Sequence, residues 1–196
     1  MPAQLALDLF RELGNHTGQA QTHLCFAWLA GRQGCHAEAL GHSRQSLTHS
    51  RTAGRRAGQA RALNNIAWHL AEQNDYDQAL AHCQQALTIV RELGDLHSQA
   101  HICDTLAHIY YHLGRYQQAV VCYQQSLDLF RATGDPYGEA TCLRGLGDSL
   151  DAVGNAAAAR QAWANALEIL NQLDHPDADQ VRARLRPAQR PEADSC

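Results

Sequence analysis

Apolar residues recur along this chain at helical spacing, and the pattern itself returns every forty residues. In the stretch Leu96–Asp135 (LHSQAHICDTLAHIYYHLGRYQQAVVCYQQSLDLFRATGD) two amphipathic segments meet at Gly114. That spacing predicts two helices folded back on each other across a turn. Sliding the sequence by one period aligns Ala20, Ala60, Ala100 and Ala140, and then Ala27, Ala67 and Ala107 with Gly147. Ala39, Ala79, Ala119 and Ala159 fall in step, as do Leu47, Leu87, Leu127 and Leu167, and Gly14, Gly54, Gly94 and Gly134 close successive units. A fixed period of this size with paired helices inside it marks an all-α solenoid, because each hairpin can bury its apolar face only against its neighbour.

Four units follow from the register. Residues 15–54 predict helices near 17–32 and 36–53, and residues 55–94 near 57–73 and 76–93. Residues 95–134 predict helices near 97–113 and 116–133, and residues 135–174 near 137–153 and 156–173. The first unit is the least regular: Gly41 interrupts its second helix, while His49 and Ser50 stand where other copies carry apolar residues. Residues 1–14 read as an orphan second helix, since LDLFRELG at 7–14 nearly repeats LDLFRATG at 127–134. We expect from this a chain cut from a longer array. Gly94 and Gly134 suit the left-handed turn after a helix, Asp95 and Asp135 can cap the next helix, and Pro136 suits a first helical position. Residues 175–186 predict a short capping helix, and 187–196 a disordered tail.

Within each unit, small residues fall at an eighth position (Ala27, Ala67, Ala107, Gly147) and a twentieth (Ala39, Ala79, Ala119, Ala159), with Tyr76 or Tyr116 after the turn in two copies. This resembles the tetratricopeptide repeat (TPR) in a form lengthened to about forty residues. HEAT and armadillo repeats have similar periods but do not demand the small-small contact. The resemblance implies a right-handed superhelix of antiparallel helix pairs whose first helices line a concave groove for peptides. It places Gln21, Leu24, Cys25 and Trp28 in that groove, then Arg61, Asn64, Asn65 and Trp68. The third unit contributes His101, Asp104, Thr105 and His108, and the fourth Thr141, Arg144, Gly145 and Asp148. The units also resemble the C-terminal arrays of bacterial signal-transduction ATPases and antibiotic-regulatory transcription factors, which implies a sensor role.

Charge and composition narrow the chemistry. All 16 basic residues are Arg, which excludes a P-loop lysine, a Schiff-base lysine and a lysine general base; the chain also departs from the version of the resembled fold that clamps a terminal carboxylate with Lys, Asn and Arg. The net charge of −4 gives no general attraction to nucleic acid or anionic membrane. Arg51, Arg55, Arg56 and Arg61 read as a solvated helix end, favoured by the helix dipole. The seven Cys are scattered with no CxxC spacing and read as reduced, mostly core residues. No nucleophile–base arrangement is present, so an enzyme is not expected, nor a cofactor.

Two constellations carry alternatives. Asp104, His108 and His112 form a helical stripe with His101 one turn back, a metal candidate of low rank, because three such ligands spread over about 12 Å at 1.5 Å per residue. A solvated polar wall, or a pH-responsive one, is the simpler reading. Trp28 and Trp68 recur at one place in adjacent units, either as exposed anchors near one another or packed internally. Trp163 replaces Tyr123 and reads as core. The functional expectation is a non-catalytic interaction module for a protein or peptide partner, in its finer form the sensor part of a bacterial transcriptional regulator. A homo-oligomerising scaffold is the alternative. With no apolar run near the roughly 20 residues that span a bilayer, and no secretory signature at the start, the cytoplasm is the expected compartment.

Overall fold

Helix follows helix through the computed structural model, which describes residues 2–186. The ten helices among the described residues are α1 (Pro2–Glu12), α2 (His16–Arg32), α3 (His36–Thr52), α4 (Arg56–Glu72), α5 (Tyr76–Leu93), α6 (Leu96–His112), α7 (Tyr116–Thr133), α8 (Pro136–Ala152), α9 (Ala156–Gln172) and α10 (Ala178–Leu185). The segment expected to be a disordered tail, 187–196, lies outside the described residues.

One turn is used throughout. Gly14, Gly34, Gly54, Gly94, Gly114, Gly134 and Gly154 all take positive φ, and Asn74 and Asp174 take it in the two places where the sequence lacks glycine. The following residue then donates its amide to the carbonyl five positions back, as in Asp95 to Val90 (3.0 Å), Arg115 to Tyr110 (2.9 Å) and Asp135 to Phe130 (3.0 Å). This closure satisfies carbonyls that the helix end leaves without partners. The next helix starts at once. Asp95 accepts from the Ser98 amide at 3.0 Å and Asp135 from the Gly138 amide at 2.8 Å, with Pro136 in the first turn. The first helices therefore begin one residue earlier than the periodicity predicts.

Each helix packs on its sequence neighbours. Ala27, Ala39, Ala67, Ala79, Ala107, Ala119 and Ala159 have no exposed surface at all, which is how paired helices come close enough for their backbones to nest. Beyond those hairpins, α2 touches α4, α4 touches α6 and α6 touches α8, while among the described residues the second helices make no comparable skip contact. The stack is thus tighter along its first helices, and these form the inner wall. α1 lies against α2 at one end and α10 against α9 at the other.

The irregular first unit has a core of its own kind. His49 stands where the other units carry Ile89, Leu129 and Ile169; its ring stacks on His16 with centroids 5.4 Å apart and on His23 at 5.6 Å, and His23 meets His42 at 5.3 Å. The Nδ1 atoms of His16 and His49 are 3.1 Å apart, as are those of His23 and His42. Burial first, and then the neighbouring His42 and His49, lower the pKa of His23 to about 4. Burial likewise holds the His49 pKa below its ordinary value, so a charge is disfavoured on both His23 and His49.

Candidate functional site

Cavities follow one another along the inner wall, of which three bear on the groove positions. The N-terminal one, about 900 Å³, is bounded by Ala3 of α1, by Gln21, Leu24, Cys25, Phe26, Trp28 and Leu29 of α2, and by Arg61 and Asn65 of α4. Trp28 is 63% exposed, with the Arg32 guanidinium 5.2 Å from its ring centroid. A flat aromatic surface open to solvent and braced by a cation is a suitable seat for an apolar side chain.

The middle cavity, about 490 Å³, shares Arg61 and Asn65 with the first and adds Asn64, Asp95, His97, Ser98, His101 and Ile102. Its chemistry is polar. Asn64 Oδ1 lies 3.9 Å from the Cys83 thiol. Among the described residues, Asn65 makes no side-chain hydrogen bond and Arg61 sits in no ion pair, so both present free donors to the groove.

The C-terminal cavity, about 270 Å³, is lined by Trp68, Asp104, His108, Tyr111, His112, Tyr123, Thr141, Arg144, Gly145, Asp148 and Arg184. Trp68 stacks on His108 (centroids 4.5 Å, planes 25° apart) and has no ring contact with Trp28 among the described residues. The two recurring tryptophans therefore divide between the two readings: Trp28 stands open and Trp68 ties α4 to α6. His108 Nε2 is 3.0 Å from Glu72 Oε1. Burial and then His112 hold the His108 pKa below its ordinary value, against the pull of Glu72. Burial pushes the Asp104 carboxyl up, opposed by the Cys142 thiol 3.3 Å from Oδ1 and by Arg144. Asp148 is engaged within the chain: Arg184 of α10 meets it at 2.6 and 2.9 Å, and Trp163 Nε1 donates to it at 3.0 Å.

Two of the groove positions implied by the resemblance sit deep in the wall. Thr105 is 3% exposed and its hydroxyl donates to the His101 carbonyl at 3.1 Å. Gly145 is buried at the cavity floor, where a Cβ would sit 2.3 Å from Tyr123 Cζ. Asp104, His108 and His112 are not brought together as a set of three: Asp104 turns to Cys142, while His108 lies against Glu72 and Trp68 with the His112 ring 4.4 Å away. Among the described residues, the group whose ligand atoms do converge is His97, His101 and Asp135, all within 4.8 Å of one another.

Sequence reasoning missed Glu72, His97, Asp135 as more than a cap, and Arg184. Glu72 and Arg184 reach their partners across 36 positions, one helical turn short of the repeat, and only that offset could have signalled them. All six cysteines among the described residues are free. No helix among those residues is long and apolar enough to cross a membrane.

Comparison with known proteins agrees with this architecture. No curated protein matches the chain. Among solved structures, the apo form of RapI superposes with a TM-score of 0.75 at 15% identity, covering 93% of this chain and 73% of that one. A Rap protein complexed with competence and sporulation factor gives 0.66 at 21% identity, covering 93% and 56%. A STAND (signal transduction ATPase with numerous domains) protein with a tetratricopeptide repeat sensor from Pyrococcus horikoshii gives 0.72 at 15% identity, covering 93% of this chain and 29% of that one. These likenesses concern the fold. The family profile described as Tetratricopeptide repeat matches residues 18–92 and 98–172, most of the chain, and with the paired helices, nested alanines and inner wall above it establishes that this protein belongs to the tetratricopeptide repeat family.

Proposed function

We propose that this protein is a non-catalytic interaction module, acting in the cytoplasm, whose inner wall takes up a segment of a partner protein. The observation that carries the reading is the junction of two unlike cavities: the apolar one beside Trp28 opens onto the polar one beside Asn64 and Asn65, with Arg61 and Asn65 lining both. A segment placing one large apolar side chain against Trp28 and Leu24 would have its backbone within reach of the asparagine amides. Arg61 would favour an acidic residue in the segment, and Arg144, which sits in no ion pair among the described residues, would do the same further along. His101, Asp104 and His108 complete this wall. The reading includes no nucleic acid and no cofactor.

A sensor role in a signalling protein is supported by the company the fold keeps, a STAND protein with a repeat sensor and a Rap protein solved with a factor. Within the proposal, this array is the part that detects a partner. The test is a displayed peptide library panned against the chain and against Trp28→Ala, Arg61→Ala/Asn65→Ala and Arg144→Ala variants. We expect enriched sequences with a large apolar residue near an acidic one, and at least tenfold weaker binding to the first two variants, the scale of a lost anchor. Enrichment of nothing, or equal binding by all variants, would overturn the reading.

One observation favours a second reading, assembly through α1. Leu5, Leu9 and Leu13 are 63%, 49% and 75% exposed and stand one turn apart on one face. Under this reading, Leu5→Glu/Leu9→Glu lowers the mass in solution, and an unchanged monomer in both chains would remove it.

A further inference from the structure

We propose that His97, His101 and Asp135 form a zinc site joining the third and fourth units. His97 and His101 stand one turn apart on α6, and their Nε2 atoms are 3.2 Å apart. Two imidazole nitrogens on one tetrahedral zinc, each at about 2.0–2.1 Å, stand about 3.3 Å from each other. The pair is thus already spaced for one ion. Asp135, from the turn between α7 and α8, brings a carboxylate oxygen within 4.8 Å of both.

The rings are held. Both meet the buried ring of Phe130 edge-on, His101 at 4.8 Å between centroids and His97 at 6.1 Å. Asp135 is fixed by the Gly138 amide on Oδ1 at 2.8 Å, leaving its other oxygen for an ion. Fixed orientation of ligands by such partners is what raises metal affinity above that of loose surface histidines. Two nitrogens and one oxygen suit a borderline cation such as Zn²⁺ rather than Ca²⁺ or Mg²⁺, which prefer all-oxygen sets. Three protein ligands leave a fourth position, and since His97 and His101 line the middle cavity, that position is open to water or to a donor from outside. A bound ion would also link the start of α6 to the start of α8 and so fix how far apart two inner helices sit.

The test is calorimetric titration of the tag-free, chelator-treated chain with ZnCl₂, repeated with thermal unfolding. One zinc per chain is expected, with a rise in Tm on binding. His97→Gln/His101→Gln should weaken binding at least tenfold and abolish the rise. Asp135→Asn, which keeps an amide-accepting cap and so keeps the fold, should weaken binding about tenfold. His108→Gln/His112→Gln should bind as the parent does. Absence of saturable binding, or undiminished binding in the His97/His101 variant, would overturn the site. So would loss confined to the His108/His112 variant.

Discussion

Gly147 and Trp163 occupy one space: a Cβ on the glycine would lie 2.4 Å from Trp163 Nε1. The equivalent residues of the other units are alanines, and the unit before carries Tyr123 where this one carries Trp163. The larger ring has been accommodated by removing one carbon from the facing helix.

Gly147→Ala should therefore destabilise the protein by about 1–3 kcal/mol, as overpacking does, although alanine is the better helix former by about 1 kcal/mol. Trp163→Tyr in the same chain should restore most of the loss. Chemical denaturation of the two single variants and the double one checks this, and additive effects would contradict the pairing.

Acid should weaken the fold. Burial lowers the pKa of His23 and of His69 to about 4 from an ordinary 6.5. Around His23 stand His42, His49 and Arg11, all of which disfavour its protonation; beside His69 are His36, with the same effect, and Glu72, with the opposite one. Above about pH 6.5 both states are neutral and stability is complete. As pH falls below that value the unfolded chain takes up protons the folded one refuses, so stability declines down to about pH 4, by up to about 1.4 kcal/mol per pH unit for each group. Tm should drop between about pH 7.5 and pH 5, and His49→Ile, matching Ile89 and Ile169 in other units, should shrink the drop. A flat profile would contradict the lowered pKa values of His23 and His69.

Arg184 should hold α10 in place. Its two bonds to Asp148 join the last helix to the inner wall. Arg184→Gln should cost about 1–3 kcal/mol, the range for leaving a half-buried charge short of its partner. Hydrogen exchange should speed up in α10 while α6 is unaffected; equal protection of α10 in both chains would argue that it docks by apolar contact alone.

Asp174→Gly should stabilise. Asp174 has φ of 49° where seven equivalent turns use glycine. A left-handed residue with a side chain costs about 1–2 kcal/mol, and glycine's greater freedom when unfolded takes back roughly half of that. A gain of about 0.5–1 kcal/mol in chemical denaturation is expected, and a loss would mean that the Asp174 side chain contributes something the turn geometry does not reveal.

What could be read from the sequence was local or exactly periodic in character. Gly94 and Gly134 announced their turns, Asp95 and Asp135 their caps, and the alanines at two fixed positions the nesting of paired helices, because each depends on neighbours a few residues away or one period away. The site was legible only in part. Trp28, Arg61 and Asn65 could be placed on the inner wall by register, but whether a ring stands open or is covered depends on the adjoining unit. Trp68 is half-buried because His108 stacks on it, and Asp148 is occupied because Arg184 reaches it from beyond the fourth unit. His97 drew no notice, since its importance comes from a carboxylate 38 positions on. Thr105 sits deep in the wall because a helix whose two sides both meet neighbours has a narrower free face than register alone suggests.

The uniform closing turn makes the array a set of interchangeable cassettes. Gly94 and Gly134 leave the chain in the same conformation and each hands over to a capping aspartate, so segment 95–134 could be duplicated or excised with both splice points already compatible. The length of such a protein, and with it the span of partner it can follow, is then free to change by whole steps, without any new joint having to evolve.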